Sequence, residues 1–376
     1  MNVLGDLQER YKANNWFTVV IFSTLSLPSI KLVYSSAMLN AGLMVIYSFY
    51  LLHFYITDPV KLENRQRIFL GLFLLLITLV FLGYFIFPYS YFSIDKIVKY
   101  VFIFIAGLTV ATFVEKVNIR LLINLMIIWG LVLCVWKLTI GIRLNFDKGQ
   151  TYLTYGMPIG CSLLLLLLRV FQKLSWQQIT VLIVLIGLNV FVILTSRGRS
   201  SIIFPFLSFG IILFATFFTK KNKAVATKIL VTGGVIGLVA GSYVLANLEM
   251  FKSLARVIAL VESGGEDSRL DLWIPAVQAI SQNPFGYGTD AHEYVLIHYP
   301  HNIFLEITLA YGIIGLLLFL GVLGLTFQQF RRNIKRDIYY LSVSSLGLYF
   351  LLSWNTSHDF ATATIPFVAF ALSLKS

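Results

Sequence analysis

The sequence carries little charge for its length. Of its 376 residues, 12% are Asp, Glu, Lys or Arg, whereas 58% are hydrophobic. A soluble globular protein carries about 25% charged residues, so this composition leaves too little polar surface to cover one. About 20 apolar residues cross a membrane once, and the chain is long enough for many crossings. The composition therefore excludes a water-soluble globular protein and predicts a polytopic membrane protein.

Cysteine and the common nucleotide- and metal-binding motifs are also scarce. The two cysteines, Cys134 and Cys161, lie in apolar stretches, which is typical of buried side chains and not of a disulfide or a metal site. The sequence has no GxxxxGK phosphate loop, no GxGxxG, no HExxH, no paired CxxC and no DxD. ATP-driven transport has no support here, and we expect neither a cofactor nor a metal ion.

Twelve apolar segments make up most of the chain. Because lipid offers no hydrogen bonds to the backbone, each segment is predicted to be a helix, and the apolar runs lack the alternation of a β-barrel. We therefore predict an all-α polytopic membrane protein with about twelve transmembrane helices in a single domain, residues 1–376. The predicted segments are 15–33, 36–56, 68–87, 97–114, 120–140, 151–169, 177–195, 200–218, 228–248, 302–326, 338–354 and 358–374.

The positive charges indicate an orientation in the membrane. Lys and Arg number 29 against 17 Asp and Glu, a net charge of +12. With the N-terminus in the cytoplasm, most of the 29 fall in inner loops, including KKNK at 220–223 and RRNIKR at 331–336. This distribution obeys the positive-inside rule. We therefore predict that both termini are cytoplasmic, and the basic balance does not indicate a nucleic-acid partner.

One long polar loop, residues 249–301, is predicted on the outer side. It contains two stretches, 251–261 and 270–280, whose apolar residues recur at helical spacing. Both are predicted to be short amphipathic helices at the membrane interface. A loop of this length in a compact domain usually has a function.

Several cationic residues lie on this outer side, where the positive-inside rule depletes them. They are Arg197 and Arg199 in the SRGR stretch, Arg143, Arg269, and the titratable His301 in HYPHN. A guanidinium binds two oxygens of one phosphate, so arginines from separate loops could form a metal-free anion site for a lipid diphosphate. Interfacial arginines also commonly contact lipid headgroups without a further role.

A metal site is the second interpretation of the outer histidines. His298 and His301 are three residues apart, and Asp290, His292 and Glu293 are close in sequence. No second cluster of ligands supports this interpretation, so we expect no metal.

Three motifs together resemble the O-antigen polymerase and O-antigen ligase family of bacterial inner-membrane glycosyltransferases. They are LTSRGRS at 194–200, SRLDLW with NPFGYG between 268 and 288, and YPHNIFLEI with GIIG between 299 and 315. Each motif is short, but their order, their spacing and the frame of many helices with one long outer loop make the set specific. The resemblance covers about the second half of the chain.

The resemblance implies roles for individual residues. Arg197 and Arg269 match the arginines that hold the diphosphate of an undecaprenyl-diphosphate-linked glycan, and Arg199 is placed to assist. Arg143 lies where members carry another basic residue, in a poorly matching context. His301 matches the histidine that deprotonates the acceptor hydroxyl. The resemblance also implies an active site at the periplasmic face of the bacterial inner membrane.

The implied reaction is the metal-independent transfer of a glycan, with inversion as a hypothesis. In a polymerase the acceptor is another lipid-linked repeat unit, and a chain-length regulator protein is a further partner. In a ligase the acceptor is the lipid A core. The forms of NPFGYG and YPHNIFLEI favour the polymerase. A lipid-linked oligosaccharide transporter is a more distant alternative, disfavoured because no matching halves are visible and the polar residues cluster at one face.

Overall fold

The fold is helical throughout the part of the chain that the computed structural model describes, which comprises residues 14–32, 36–57, 61–142, 152–196, 198–217, 258, 269–296 and 298–375. The all-α prediction is confirmed. The helices are α1 Asn15–Leu25, α2 Leu27–Ile30, α3 Ser36–Thr57, α4 Asn64–Ile86, α5 Ile94–Phe113, α6 Ile119–Thr139, α7 Tyr152–Leu168, α8 Trp176–Leu194, α9 Arg199–Phe217, α10 Leu270–Gln282, α11 His292–Val295, α12 Ile303–Asn333, α13 Ile338–Ser357 and α14 Thr364–Ser373.

Eight of these helices are long and apolar enough to cross a membrane. They are α3 to α9 and α12, so a multi-pass membrane protein is supported while the predicted number of twelve remains a prediction. The segment predicted at 15–33 is divided at Ser26, and Pro28 lies in the first turn of α2, where its missing N–H costs no hydrogen bond. The predicted segment 228–248 and the amphipathic stretch 251–261, except Ile258, lie outside the described residues.

The last two helices differ from typical membrane spans: α13 is polar and α14 is short. Both lie inside the bundle, which explains the difference. α13 has enough length but carries a polar stretch in which Ser342, Ser344 and Ser345 are all buried. It packs against α9, α12 and α14, and every residue of α14 is buried. Helices that contact other helices and not lipid do not need a continuous apolar surface.

Among the described residues, those predicted for the inner and for the outer side lie at opposite ends of the helices. At the predicted inner end, Arg65 Nη1 donates to Gln329 Oε1 at 2.9 Å and Arg169 Nη1 donates to Tyr339 OH at 3.1 Å. At the other end, Lys31, Lys99, Arg269 and His301 line the cavity described below. The arrangement agrees with the predicted alternation, and the side that faces the periplasm remains a prediction.

α12 changes direction at Gly312, where the backbone leaves the helical conformation (φ 62°, ψ −158°). The segment 283–288, NPFGYG, crosses the chain at this point: Gly288 N donates to Ala310 O at 2.8 Å, and Ile313 N donates to Pro284 O at 3.0 Å. Since a Cβ atom on Gly312 would overlap Pro284 O, the close crossing requires glycine here. The crossing fixes the first turns of α12, which follow the predicted catalytic histidine.

Candidate functional site

A cavity of about 600 Å³ lies at the predicted outer end of the bundle, where helices from both halves of the chain converge. A volume in this range is typical of sites for small molecules. Its polar and charged lining consists of Lys31, Asn40, Lys99, Tyr152, Thr154, Arg269, Tyr299, His301, Trp354, Thr356, Ser357, His358, Asp359, Thr362 and Thr364.

Arg269 and His301, two of the five predicted site residues, both line this cavity. Arg143 and Arg197 lie outside the described residues, and so does the side chain of Arg199, whose backbone begins α9. These three predicted roles therefore remain predictions.

The described residues of the SRGRS stretch that can be placed against the cavity are Gly198, Ser200 and Ser201. A Cβ atom on Gly198 would lie 3.0 Å from the ring of Tyr152, which lines the cavity. Ser200 and Ser201 line a smaller pocket together with His358, which also lines the main cavity. Gly198, Ser200 and Ser201 therefore lie near the cavity, and the predicted role of the arginines in this stretch remains a prediction.

His301 is held in place by the residues on either side of it. The indole Nε1 of Trp273 donates to the carbonyl of Pro300 at 2.8 Å, so α10 is tied to the residue before the histidine. Asn302 caps α12, its Oδ1 accepting from Phe304 N at 3.0 Å and Leu305 N at 3.2 Å. Two motifs, SRLDLW and YPHN, are thus joined by a direct hydrogen bond that positions one histidine.

The ring of His301 lines the cavity with one of its nitrogens enclosed by protein. Its Nδ1 is buried and has no hydrogen-bond partner among the described residues, so Nε2 is the ring nitrogen that a substrate can reach. The ring of Tyr299 packs against it, with the ring centroids 4.1 Å apart. Burial and the nearby Arg269 guanidinium lower the pKa of His301, while Asp359 opposes the shift. The imidazole is therefore neutral at pH 7 and can accept a proton.

An ion pair between Lys96 and the largely buried Asp290 was not foreseen from the sequence. Lys96 Nζ lies 3.4 Å from Asp290 Oδ1 and 2.9 Å from Glu293 Oε1, and Tyr100 OH donates to Asp290 Oδ1 at 2.9 Å. Burial raises the pKa of Asp290, whereas Lys96 and the tyrosine hydroxyls lower it. These bonds attach the segment after NPFGYG to α5, and no spacing pattern marks Lys96 in its largely apolar helix.

The same cluster contains three groups near enough to one another to bind a metal ion. One ligand atom each from Asp290, His292 and Glu306 lies within 4.8 Å of the others. Lys96 Nζ is 3.4 Å from His292 Nε2 as well as from Asp290, so an ammonium already supplies positive charge there. Burial, and Lys96, lower the pKa of His292 to about 4. Among the described residues, His298 and His301 do not join this cluster.

Two further cavity residues, His358 and Asp359, were also missed. The ring of His358 stacks on Trp354, with centroids 4.3 Å apart and planes at 25°. Asp359 accepts a hydrogen bond from Thr362 N at 3.2 Å, and Phe360 N donates to Glu306 Oε2 at 2.8 Å. The sequence signal was the polar stretch SWNTSHD between two apolar segments at the predicted outer end.

Part of the chain that contributes to this site matches a known family. Residues 182–320 match the family model described as O-antigen ligase. The predicted resemblance to the O-antigen polymerase and O-antigen ligase family is confirmed. No curated protein and no solved structure matches the chain. The O-antigen ligase match includes Arg197, Arg199, Arg269 and His301, whereas the cavity is completed by residues outside it, among them His358.

Proposed function

We propose that the protein transfers a glycan from undecaprenyl diphosphate to an acceptor hydroxyl in this cavity. The observation that carries the proposal is that Arg269 and His301 line the same cavity and both lie within the segment that matches the O-antigen ligase model. An enzyme of the polymerase or ligase type needs both an anion-binding group and a base at the membrane boundary.

The arginine provides the charge that the leaving group requires. As the bond between the anomeric carbon and the diphosphate breaks, negative charge develops on the bridging oxygen. A fixed guanidinium stabilises this charge, and preorganised stabilisation of this kind is often the largest catalytic contribution. Arg197, Arg199 and Arg143 are proposed to complete the diphosphate site with Arg269.

The histidine provides the base. The acceptor oxygen forms a bond to the anomeric carbon, the bond to the diphosphate breaks, and the acceptor proton passes to Nε2 of His301. Its lowered pKa keeps the imidazole neutral before the reaction. Direct attack by the acceptor oxygen, with His301 as the base, is one displacement and inverts the anomeric carbon.

The proposed reaction is that of a polymerase, with the acceptor being another lipid-linked repeat unit. The forms of NPFGYG and YPHNIFLEI favour this choice, and a chain-length regulator protein is its proposed partner. The description of the matching family model favours a ligase that transfers to the lipid A core as the second candidate. The proposed location is the bacterial inner membrane, with the cavity at the periplasmic face and both termini cytoplasmic.

Substitution of the two central residues tests the proposed enzyme. We expect Arg269→Ala to lower the rate of glycan transfer about 10²–10³-fold, as loss of an oxyanion-stabilising group does. His301→Ala is expected to lower it about 10²–10⁴-fold. The rate is measured with purified protein in lipid vesicles and with lipid-linked repeat units as donor.

The matched control is Arg332→Ala, which removes an exposed arginine at the other end of α12 and is expected to retain full activity. Wild-type activity in either site variant would remove the proposed roles. In cells, loss of a polymerase leaves lipopolysaccharide capped with one repeat, whereas loss of a ligase leaves long glycan on undecaprenyl diphosphate. Accumulation of repeats on the cytoplasmic side would instead indicate a transporter.

A further inference from the structure

The imidazole ring of His358 is part of the cavity lining. Its Nε2 is buried and makes no hydrogen bond to any described residue. Since Nε2 is enclosed, Nδ1 is the ring nitrogen that a molecule in the cavity can reach.

The ring of His358 is also fixed and uncharged. It stacks on Trp354, a side chain that is only 1% exposed, directly after the end of α13. Burial lowers the pKa of His358 to about 4. At neutral pH the ring is therefore a neutral imidazole, which can donate from one nitrogen and accept at the other.

Arg269 and His358 are suited to bind different parts of the substrate, because His358 is a neutral and rigid hydrogen-bonding group. A diphosphate favours guanidinium and ammonium groups, whereas a sugar hydroxyl both donates and accepts and carries no charge. Thr356, Ser357 and Thr362, which are close to His358 in sequence, also line the cavity, and each carries a hydroxyl group. The amide oxygen of Asn40, also on the cavity wall, is likewise buried without a partner among the described residues.

We propose that His358, held by Trp354, forms a sugar subsite in which its Nδ1 hydrogen-bonds a hydroxyl of the glycan beside the reacting bond. This inference rests on the proposed function, since it requires a glycan in the cavity. The sugar belongs either to the donor or to the acceptor, and both present the same chemistry.

A binding comparison with two lipids tests the subsite. Purified full-length protein in lipid nanodiscs is titrated with bare undecaprenyl diphosphate and with the lipid-linked repeat unit isolated from the cells that make the protein. We expect His358→Phe, which keeps a ring against Trp354 but has no nitrogen, to bind the glycosylated lipid about tenfold more weakly, as loss of one good hydrogen bond does. Its affinity for the bare lipid should stay within about twofold.

A second pair of variants separates the hydrogen bond from the ring packing. Asn and Leu are similar in size and both lack the ring, but only Asn offers polar atoms near the position of Nδ1. His358→Asn is therefore expected to bind the glycosylated lipid more tightly than His358→Leu, with equal binding of the bare lipid. Unfolding temperatures of all variants report whether the fold is retained.

Steady-state kinetics distinguish the two sources of the sugar. If the KM for the lipid-linked donor rises in His358→Phe, the subsite holds the donor sugar. If instead the KM for lipid-free repeat-unit oligosaccharide as acceptor rises, it holds the acceptor sugar. Wild-type affinities and KM values in His358→Phe, together with equal binding by the Asn and Leu variants, would overturn the subsite. The proposed function fails separately, if the wild-type protein transfers no glycan and Arg269→Ala binds the bare lipid unchanged.

Discussion

His301 has a backbone conformation that few residues adopt. Its φ is 50°, and Asp290 (φ 56°) is the other non-glycine residue with positive φ in the described part of the chain. This region is unfavourable for residues with a Cβ atom, and strained residues persist where surrounding contacts hold them. The Trp273 hydrogen bond before His301 and the Asn302 cap after it supply such contacts. The strained positions coincide with the proposed base and with the partner of Lys96.

The charge on Asp359 is predicted to tune the base. Asp359 raises the pKa of His301, against the lowering by burial and Arg269. Asp359→Asn keeps the side-chain oxygen that accepts from Thr362 N but removes the charge, so the pKa of His301 should fall further. Since the base acts in its neutral form, activity is lost as pH falls through this pKa. The acidic limb of the profile of kcat/KM against pH should therefore move to lower pH.

The control for this pH prediction is Asp271→Asn. Asp271 is exposed in the first turn of α10, two residues from Arg269, and is not among the charged groups that act on His301. Its removal should leave the acidic limb where it is in the wild type. A limb that stays in place in Asp359→Asn, or one that moves equally in both variants, would contradict the electrostatic role of Asp359.

The motifs between residues 268 and 315 make contacts between elements as well as carrying predicted site residues. NPFGYG packs against α12 around Gly312 by backbone hydrogen bonds, and SRLDLW reaches YPHN through Trp273 and Pro300. These contacts join the motifs to one another on either side of His301.

The crossing at Gly312 is predicted to be sensitive to a single methyl group. Gly312→Ala places a Cβ atom on Pro284 O and requires a positive φ, at a cost of roughly 1–3 kcal/mol for the backbone strain alone. We expect a lower unfolding temperature in detergent and a loss of glycan transfer, because the first turns of α12 shift.

Gly324→Ala provides the comparison within the same helix. Gly324 has helical geometry, and a Cβ atom there would meet nothing within 4 Å. Alanine is favoured over glycine in a helix interior by about 1 kcal/mol, so this variant should be as stable as the wild type or more so. If the two variants unfold alike, the close crossing does not contribute to stability.

Continuous apolar helices could be predicted well from the sequence, whereas isolated contacts between polar residues could not. The segment predicted at 68–87 is α4, Asn64–Ile86, and that at 177–195 is α8, Trp176–Leu194, because long apolar runs leave little choice in a membrane. Neither Lys96 nor His358 belongs to a sequence pattern in which functional residues recur at a regular spacing. Lys96 pairs with Asp290, almost two hundred residues away, and no local pattern encodes such a contact.

At the scale of the whole molecule, the first half of the chain does more than provide apolar helices. Lys31, Asn40 and Lys99 line the same cavity as Arg269 and His301, although the family match begins only at residue 182. The resemblance predicted Arg269 and His301 as site residues, whereas no sequence pattern predicted that residues of the first half line the same cavity. Variation in the first half is therefore placed to change what the cavity binds while His301 is unchanged.

The orientation of the bundle can be tested because both native cysteines are inside it. Cys134 and Cys161 are buried, so a single introduced cysteine should dominate labelling by a membrane-impermeant maleimide. Ser281→Cys lies on the exposed surface of α10 at the cavity end, whereas Lys335→Cys is exposed after α12 at the opposite end. In intact spheroplasts we expect Ser281→Cys to be labelled and Lys335→Cys to be protected until the membrane is opened. The unmodified chain, carried through both conditions, measures background labelling of the native thiols. The reverse pattern would place the cavity on the cytoplasmic side, where a periplasmic polymerase or ligase could not act, and it would also contradict the orientation predicted from the lysine and arginine distribution.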